Sequence, residues 1–256
     1  MDDPLVRFYT KEYDEAQRLV ISPHGRLELR TRQILRRKLP PAPATILDVG
    51  GGPGVHATWL VEQGYAVKLV DVIERHIEEA RDDGLHAELG DAVDLDDPDD
   101  EFNAVLVLGP LYHLPKAVDR ATALAEAKRV VKPGGPVVVA AISRFAGLLD
   151  LGTNGPWDDE TADKLEPVLS TGEHDPSLGF TQAYFHRPDE LRTEMEAAGF
   201  VDVEVLAVEG PLGHAVDHAP DPGEAIARAV EVVSLTEDEP ALLAASPHLI
   251  AVGWRP

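Results

Sequence analysis

From about residue 44 the chain alternates short apolar runs with longer stretches of helical character. Short strand-like runs occupy 44–49, 65–70, 87–89, 104–108 and 137–142, and the first four run into Gly50, Asp71, Gly90-Asp91 and Gly109-Pro110. Helical patterns follow at 53–63, up to Arg81, and at 116–131, the last closing on the turn Lys132-Pro133-Gly134-Gly135. Strands that recur between helices predict a parallel sheet with helices on its faces. Upstream, the pattern predicts helices over 10–20, with Thr10 as N-cap, and over 25–39, before the stiff connector Pro40-Pro41-Ala42-Pro43.

The alternation stops after residue 142. Residues 143–180 read as irregular and partly helical, too long for an ordinary connection, and such insertions serve as lids or binding loops. A helix at 188–198, a strand near 201–208, two helices within 222–246 and a closing strand His248–Trp254 complete the reading. The expectation is one domain over 1–256: an N-terminal helical arm (1–43), a binding core (44–142), a lid insertion (143–187), and a C-terminal part of the sheet that carries a helical insertion (188–256).

The densest chemical signal is Ile46-Leu47-Asp48-Val49-Gly50-Gly51-Gly52-Pro53-Gly54, a strand that turns sharply into a helix. Glycine tolerates backbone angles that other residues resist and lets a ligand lie on the main chain. The amides of a helix start carry partial positive charge, so such a turn suits a nucleotide-like or carboxylate-bearing ligand. A dinucleotide fingerprint G-x-G-x-x-G/A fails from Gly50 and passes from Gly52 through Ala57. The glycines alone therefore leave two cofactor classes open. Asp71 ends the second strand 19 residues after Gly52, near the spacing at which an acid accepts from ribose hydroxyls, and it also suits a helix cap.

The spacing Asp48-x-Gly50-x-Gly52-x-Gly54, with Asp71 and with Gly90-Asp91-Ala92 after the third strand, resembles class I S-adenosylmethionine-dependent methyltransferases of small-molecule type. The resemblance is strong over 44–142 and looser over the last strands. It implies an α/β, Rossmann-like, doubly wound sheet of seven strands, mostly parallel, whose final strand runs antiparallel between the fifth and sixth. It implies S-adenosyl-L-methionine as cofactor. Asp48 and the backbone of Gly50, Gly51, Gly52 and Gly54 would hold the methionine end, Asp71 with Val72 the ribose, and Asp91 with Ala92 the adenine. Leu108 and Tyr112 would pass beneath the methyl group. The rival readings are a nicotinamide-dependent oxidoreductase, from the Gly52–Ala57 match, and a non-catalytic S-adenosylmethionine-binding protein.

Methyl transfer by in-line displacement asks mainly for alignment, plus a base when the acceptor is a hydroxyl or a protonated amine. His113, in Leu108-Gly109-Pro110-Leu111-Tyr112-His113, and His186, in Tyr184-Phe185-His186-Arg187, are the catalytic candidates. Each has packing as its competing role. The Asn/Asp-Pro-Pro-Tyr motif of amine and amide methyltransferases acting on nucleic acids or proteins is absent, which points to a small-molecule acceptor. Arg144 either clamps an acidic substrate or pairs with a neighbouring acid. Tyr9 and Tyr13 share a helix face that either closes the site or packs, and His214 with His218 has metal-pair spacing only on a helix.

Composition narrows the setting. With 46 acids against 23 bases the formal charge is -23, which repels phosphate backbones and anionic lipid, so no nucleic-acid or membrane partner is expected. The acidic loop Asp94–Glu101 reads as solvated, and no metal site is expected. Such acidity suits a salt-loving source, and an acidic mesophile equally. The absence of cysteine excludes disulfides and thiolate chemistry. The Met1-Asp2-Asp3-Pro4 start lacks a signal-peptide pattern, and no apolar run is long enough for a span, so a cytoplasmic protein is expected.

Overall fold

A computed structural model describes residues 5, 27–155, 158–176, 180–213 and 222–256. The expected helix at 10–20, its cap Thr10, Tyr9, Tyr13, His214 and His218 lie outside the described residues. In chain order the elements are α1 (Leu27–Lys38), β1 (Thr45–Val49), α2 (Val55–Glu62), β2 (Ala66–Asp71), α3 (Glu74–Asp82), β3 (His86–Leu89), β4 (Ala104–Val107), α4 (Ala117–Val130) and β5 (Pro136–Ile142). Then follow α5 (Ala146–Asn154), α6 (Asp159–Thr171), β6 (Glu173–His174), β7 (Ala183–Tyr184), α7 (Pro188–Ala197), β8 (Val201–Ala207), α8 (Pro222–Val233), α9 (Pro240–Leu243) and β9 (His248–Trp254).

Seven strands form one sheet in the order β3-β2-β1-β4-β5-β9-β8. Pairs among β1 to β5 are parallel, while β9 runs antiparallel to both β5 and β8. The antiparallel last strand between β5 and β8 departs from the dinucleotide-binding order 3-2-1-4-5-6. The fold is therefore the α/β, Rossmann-like sheet implied by the methyltransferase resemblance.

Strand side chains alternate between two apolar layers, as a sheet covered on both faces requires. Leu47, Val105, Val107, Val137 and Val139 face one core, closed by Leu124 and Val130 of α4 and Leu191 and Met195 of α7. Ile46, Ala104, Leu106 and Val138 face the other, closed by Ile34 and Leu35 of α1, Trp59 and Leu60 of α2, and Ile77 of α3. Burial on both faces explains why β4 reads as the unbroken apolar run Ala104-Val105-Leu106-Val107.

The insertion is more regular than its sequence suggests. It forms α5, α6 and the short β6–β7 hairpin, with Asp158 capping α6 by accepting from the Thr161 amide at 2.9 Å. The acidic loop is also less free than expected. Asp97 is buried against Lys68 at 2.6 Å, Asp99 meets Arg129 at 2.9 Å, and Asp100 meets Arg255 at 2.5 Å. Among the described residues no helix is long and apolar enough to cross a membrane.

Candidate functional site

A cavity of about 580 Å³ opens along the carboxyl edge of the parallel strands. That is where ligands bind open α/β sheets. Its size is ordinary for a small-molecule site. The ends of β1, β2 and β3 form one side. The segments after β4 and β5, the insertion, the end of β8 and the start of β9 form the other.

Asp48 closes β1 beneath this cavity. It is 1% exposed, and among the described residues neither carboxylate oxygen has a hydrogen-bond partner. Burial, reinforced by the nearby charge of Asp71, pushes its carboxyl up to about 7. A buried acid left without a donor is costly unless something else supplies one. A ligand ammonium or other donor in the cavity would do so.

The glycine turn works differently from a plain anion cradle. The amides of Gly50 and Gly51 donate to the Val70 carbonyl at 2.6 and 3.4 Å, and that of Gly54 to the Gly51 carbonyl at 3.1 Å. The Gly52 amide donates to Asp71 at 2.9 Å. These donors are thus used within the protein, and the glycines matter for shape. Gly50 has φ 67°, and a Cβ there would stand 2.4 Å from the Pro110 ring. Gly54, with φ 94°, caps α2 and does not line the cavity; a Cβ would meet Leu85 at 2.3 Å. The cofactor contact expected of Gly54 is replaced by packing of α2 on its neighbours.

Asp71 serves the protein at the same time as it faces the cavity. One oxygen accepts from Gly52, and the other accepts from the Ile73 amide at 2.8 Å, with His76 Nδ1 at 3.4 Å. Asp91 is exposed on the cavity edge and accepts from the Val93 amide at 3.1 Å. Val72, Ala92, Leu108 and Tyr112 line the cavity as well.

Across from them stands an aromatic wall. His113 lies 4.6 Å from Tyr112 and 5.5 Å from Phe180, ring centre to ring centre, and its Nδ1 is 3.1 Å from the Thr181 hydroxyl. Phe185 lines the cavity from behind, stacked on His174 at 4.8 Å. Burial lowers the His113 imidazole to about 4, against a weaker upward pull from Asp71. It is therefore neutral near pH 7.

His186 lies elsewhere. It is fully buried and off the cavity lining. Its Nε2 is 3.2 Å from Glu194, which Arg120 also grips at 2.7 Å, and Tyr184 abuts its ring at 4.8 Å. Arg144 reaches Glu190 at 2.6 Å and the Tyr184 hydroxyl at 3.0 Å. The extended backbone at 183–187 sends Phe185 to the cavity and its neighbours Tyr184 and His186 to this buried network. His186 is thus a tie between the insertion and α7, and Arg144 pairs with an acid instead of clamping a ligand.

Further lining residues lie outside the expected set. His56, at the start of α2, lines the cavity with Nδ1 unpartnered among the described residues, and burial with the nearby Arg32 lowers it to about 4. Leu5 and Thr31 bring the N-terminal arm to the lining. His248, at the head of β9, is bonded to the buried Glu209 at the end of β8. Among the described residues no cluster of His, Asp or Glu could hold a metal ion.

Comparison with known proteins agrees with this geometry. The family described as "Methyltransferase domain" matches residues 46–135. A ubiquinone biosynthesis O-methyltransferase of Thiobacillus denitrificans is 32% identical over 181 residues, covering 67% of this chain and 70% of that protein. The methyltransferase GfsG of Streptomyces halstedii is 33% identical over 135 residues, covering 49% of this chain and 48% of that one. The chain therefore spans about half the length of the Streptomyces relative. A solved S-adenosylmethionine-dependent methyltransferase of Thermotoga maritima shares the fold at a TM-score of 0.62, with 20% identity, covering 99% of this chain and 98% of that one. The fold and site define a Rossmann-like cofactor-binding protein of the methyltransferase type. The chain belongs to the class I S-adenosylmethionine-dependent methyltransferases, whose cofactor is S-adenosyl-L-methionine.

Proposed function

We propose that this protein transfers the methyl group of S-adenosylmethionine to a hydroxyl of a small, ring-bearing molecule. The observation that carries the proposal is the continuous cavity joining the Asp48–glycine turn to an aromatic wall. When bound, the cofactor supplies an activated methyl group on a sulfonium. Asp48 fits its ammonium, being buried and without a donor among the described residues. Asp71 keeps lone pairs for ribose hydroxyls beyond the two amides it accepts. Asp91, Val72 and Ala92 fit the adenine side, and Leu108 and Tyr112 floor the middle of the cavity.

On the far side Tyr112, His113, Phe180 and Phe185 give a planar acceptor faces to stack on. His113, neutral and tied to Thr181, orients that acceptor by hydrogen bonding. A hydroxyl acceptor is supported by the O-methyltransferase relatives, and the net charge of -23 disfavours a nucleic acid.

Isothermal titration with S-adenosylmethionine and with NAD, followed by mass detection of methylated catechol and related phenols, tests the reading. Binding of the former alone, with methylated product, is expected. Binding of neither cofactor, or of NAD alone, would overturn it. Binding without transfer to any acceptor in a metabolite screen would make the protein a cofactor binder only.

A further inference from the structure

We propose that His248 is the general base of this site, receiving the acceptor's hydroxyl proton on Nε2, and that Glu209 is the residue that positions it. The proposal rests on the methyl-transfer reading above and adds to it a residue pair that no motif marks.

His248 opens β9, the antiparallel strand, opposite Ile142 at the end of β5, so it reaches the same sheet edge as Asp48 and Asp71. Its side chain lines the cavity and is 35% exposed. Nδ1 is hydrogen-bonded to Glu209 Oε1. A carboxylate accepts and does not donate, so Nδ1 carries a proton, and in the neutral imidazole Nε2 carries the lone pair. Among the described residues Nε2 has no hydrogen-bond partner.

Glu209 is held as firmly as a positioning group requires. It is 8% exposed, and its Oε2 accepts from the His248 amide at 3.0 Å and from the Ser246 hydroxyl at 2.8 Å. Ser246 Oγ in turn accepts from the amides of Val208, Glu209 and Gly210, each at 3.1 Å. Burial pushes the Glu209 carboxyl up, but the charge His248 bears when protonated, with the hydrogen bonds from His248 and Ser246, overrides it and holds the carboxyl below the ordinary range. A carboxylate behind the imidazole of a cavity-lining histidine is the arrangement by which an imidazole is fixed in one tautomer to take a proton.

The chemistry needs such a group. As the acceptor oxygen bonds to the methyl carbon, the carbon–sulfur bond of the donor breaks, its electron pair stays on sulfur, and the hydroxyl proton passes to His248 Nε2. Solvent then removes that proton. His113 is poorly suited to receive it, because burial leaves it only weakly basic.

The test has two readouts on the full chain. Long-range nitrogen-15 spectra at pH 9, where imidazoles are neutral, report the His248 tautomer without any cofactor or acceptor. The expected result is protonated Nδ1 and bare Nε2 in wild type, with Glu209→Gln losing that preference. Protonated Nε2 in wild type would overturn the proposal. The second readout is methyl transfer to catechol. His248→Ala and His248→Gln, the latter retaining a donor to Glu209, are expected to lose roughly 100- to 10,000-fold in kcat while S-adenosylmethionine affinity is kept. Full turnover in either variant would overturn the dyad. If wild type binds the cofactor yet methylates no hydroxyl acceptor in a metabolite screen, the hydroxyl-acceptor reading fails and the proposed base falls with it, whereas a methylating wild type whose His248 variants keep full turnover overturns the base alone.

Discussion

Apart from Leu5 and Thr31, the side of the cavity proposed for the cofactor draws its residues from the single stretch Asp48–Ala92, whereas the side proposed for the acceptor assembles the segments after β4, the end of β5, Phe180–Gln182, Phe185, Val208 and His248–Ile250. The first is made of strand ends and turns whose acids face the ligand. The second is made of aromatic and imidazole rings brought together from segments far apart in the chain. A cofactor that is constant across a family can be met by local structure. An acceptor that differs from one relative to the next is met by what tertiary packing adds to the rim.

Arg120→Ala strikes the acceptor side at its foundation. Arg120 is buried against Glu194, donates to the carbonyls of Leu114 and Pro115, and lies 3.7 Å over the Tyr184 ring. Removing one partner of a buried ion pair costs about 3–5 kcal/mol. A thermal melt should show that loss, while titration at a permissive temperature should find cofactor affinity nearly unchanged. A parallel fall in affinity would dissolve the contrast between the two sides.

Asp48→Asn acts on the donor side with the opposite sign. A carboxyl raised to about 7 in the folded protein favours folding at low pH, and that contribution fades as pH rises from about 4 through 7. Above pH 7 the buried charge costs up to about 4 kcal/mol. Without ligand, the Asp48→Asn variant should therefore outlast wild type in melts at pH 8.5, with the gap shrinking towards pH 4, and it should bind S-adenosylmethionine more weakly. A destabilised variant at pH 8.5 would mean that Asp48 has a partner in solution.

Asp71→Ala should move two measurements together. The carboxylate serves the glycine turn and the Ile73 turn as well as the proposed ribose contact. A hydrogen bond to a charged group contributes roughly 1.5–3 kcal/mol, a loss of about ten- to a hundredfold in affinity. The melting temperature should also fall. Lowered stability with unchanged affinity would leave Asp71 as a turn residue alone.

Salt has the smallest predicted effect. Repulsion among 46 acids is screened as ionic strength rises, so melting temperature should climb from low salt. The pairs at Asp97, Asp99 and Asp100 oppose that gain locally, since salt weakens them too. A flat or falling series would show that such pairs outweigh the global repulsion.

The same contrast governs how much could be read in the sequence. Strands β1 to β5 and β9 stand within a residue or two of the runs read for them, and for β1, β4, β5 and β9 burial on both faces gives that signal. That Asp48, Asp71 and Asp91 line the cavity was legible because each lies at or just beyond the carboxyl end of a strand, and those ends border the cavity. His186 misled because its backbone runs beside the end of β5, pairing Ser143 with His186, and that pairing sets which neighbours face the cavity. Phe185 turns inward and His186 turns to Glu194. His248 and Glu209 were invisible: they lie 39 positions apart, and only the antiparallel return of β9 beside β8 joins them. Gly54 carried a motif position, yet its space is filled by Leu85.

The most direct test of the two-sided cavity is a crystal structure with S-adenosylhomocysteine bound. The account predicts its amino group on Asp48, its ribose on Asp71, its adenine beside Asp91 and Ala92, and its sulfur facing the wall that holds Tyr112, His113 and His248. A ligand lying the other way round, or seated against the insertion with Asp48 still unpartnered, would contradict it.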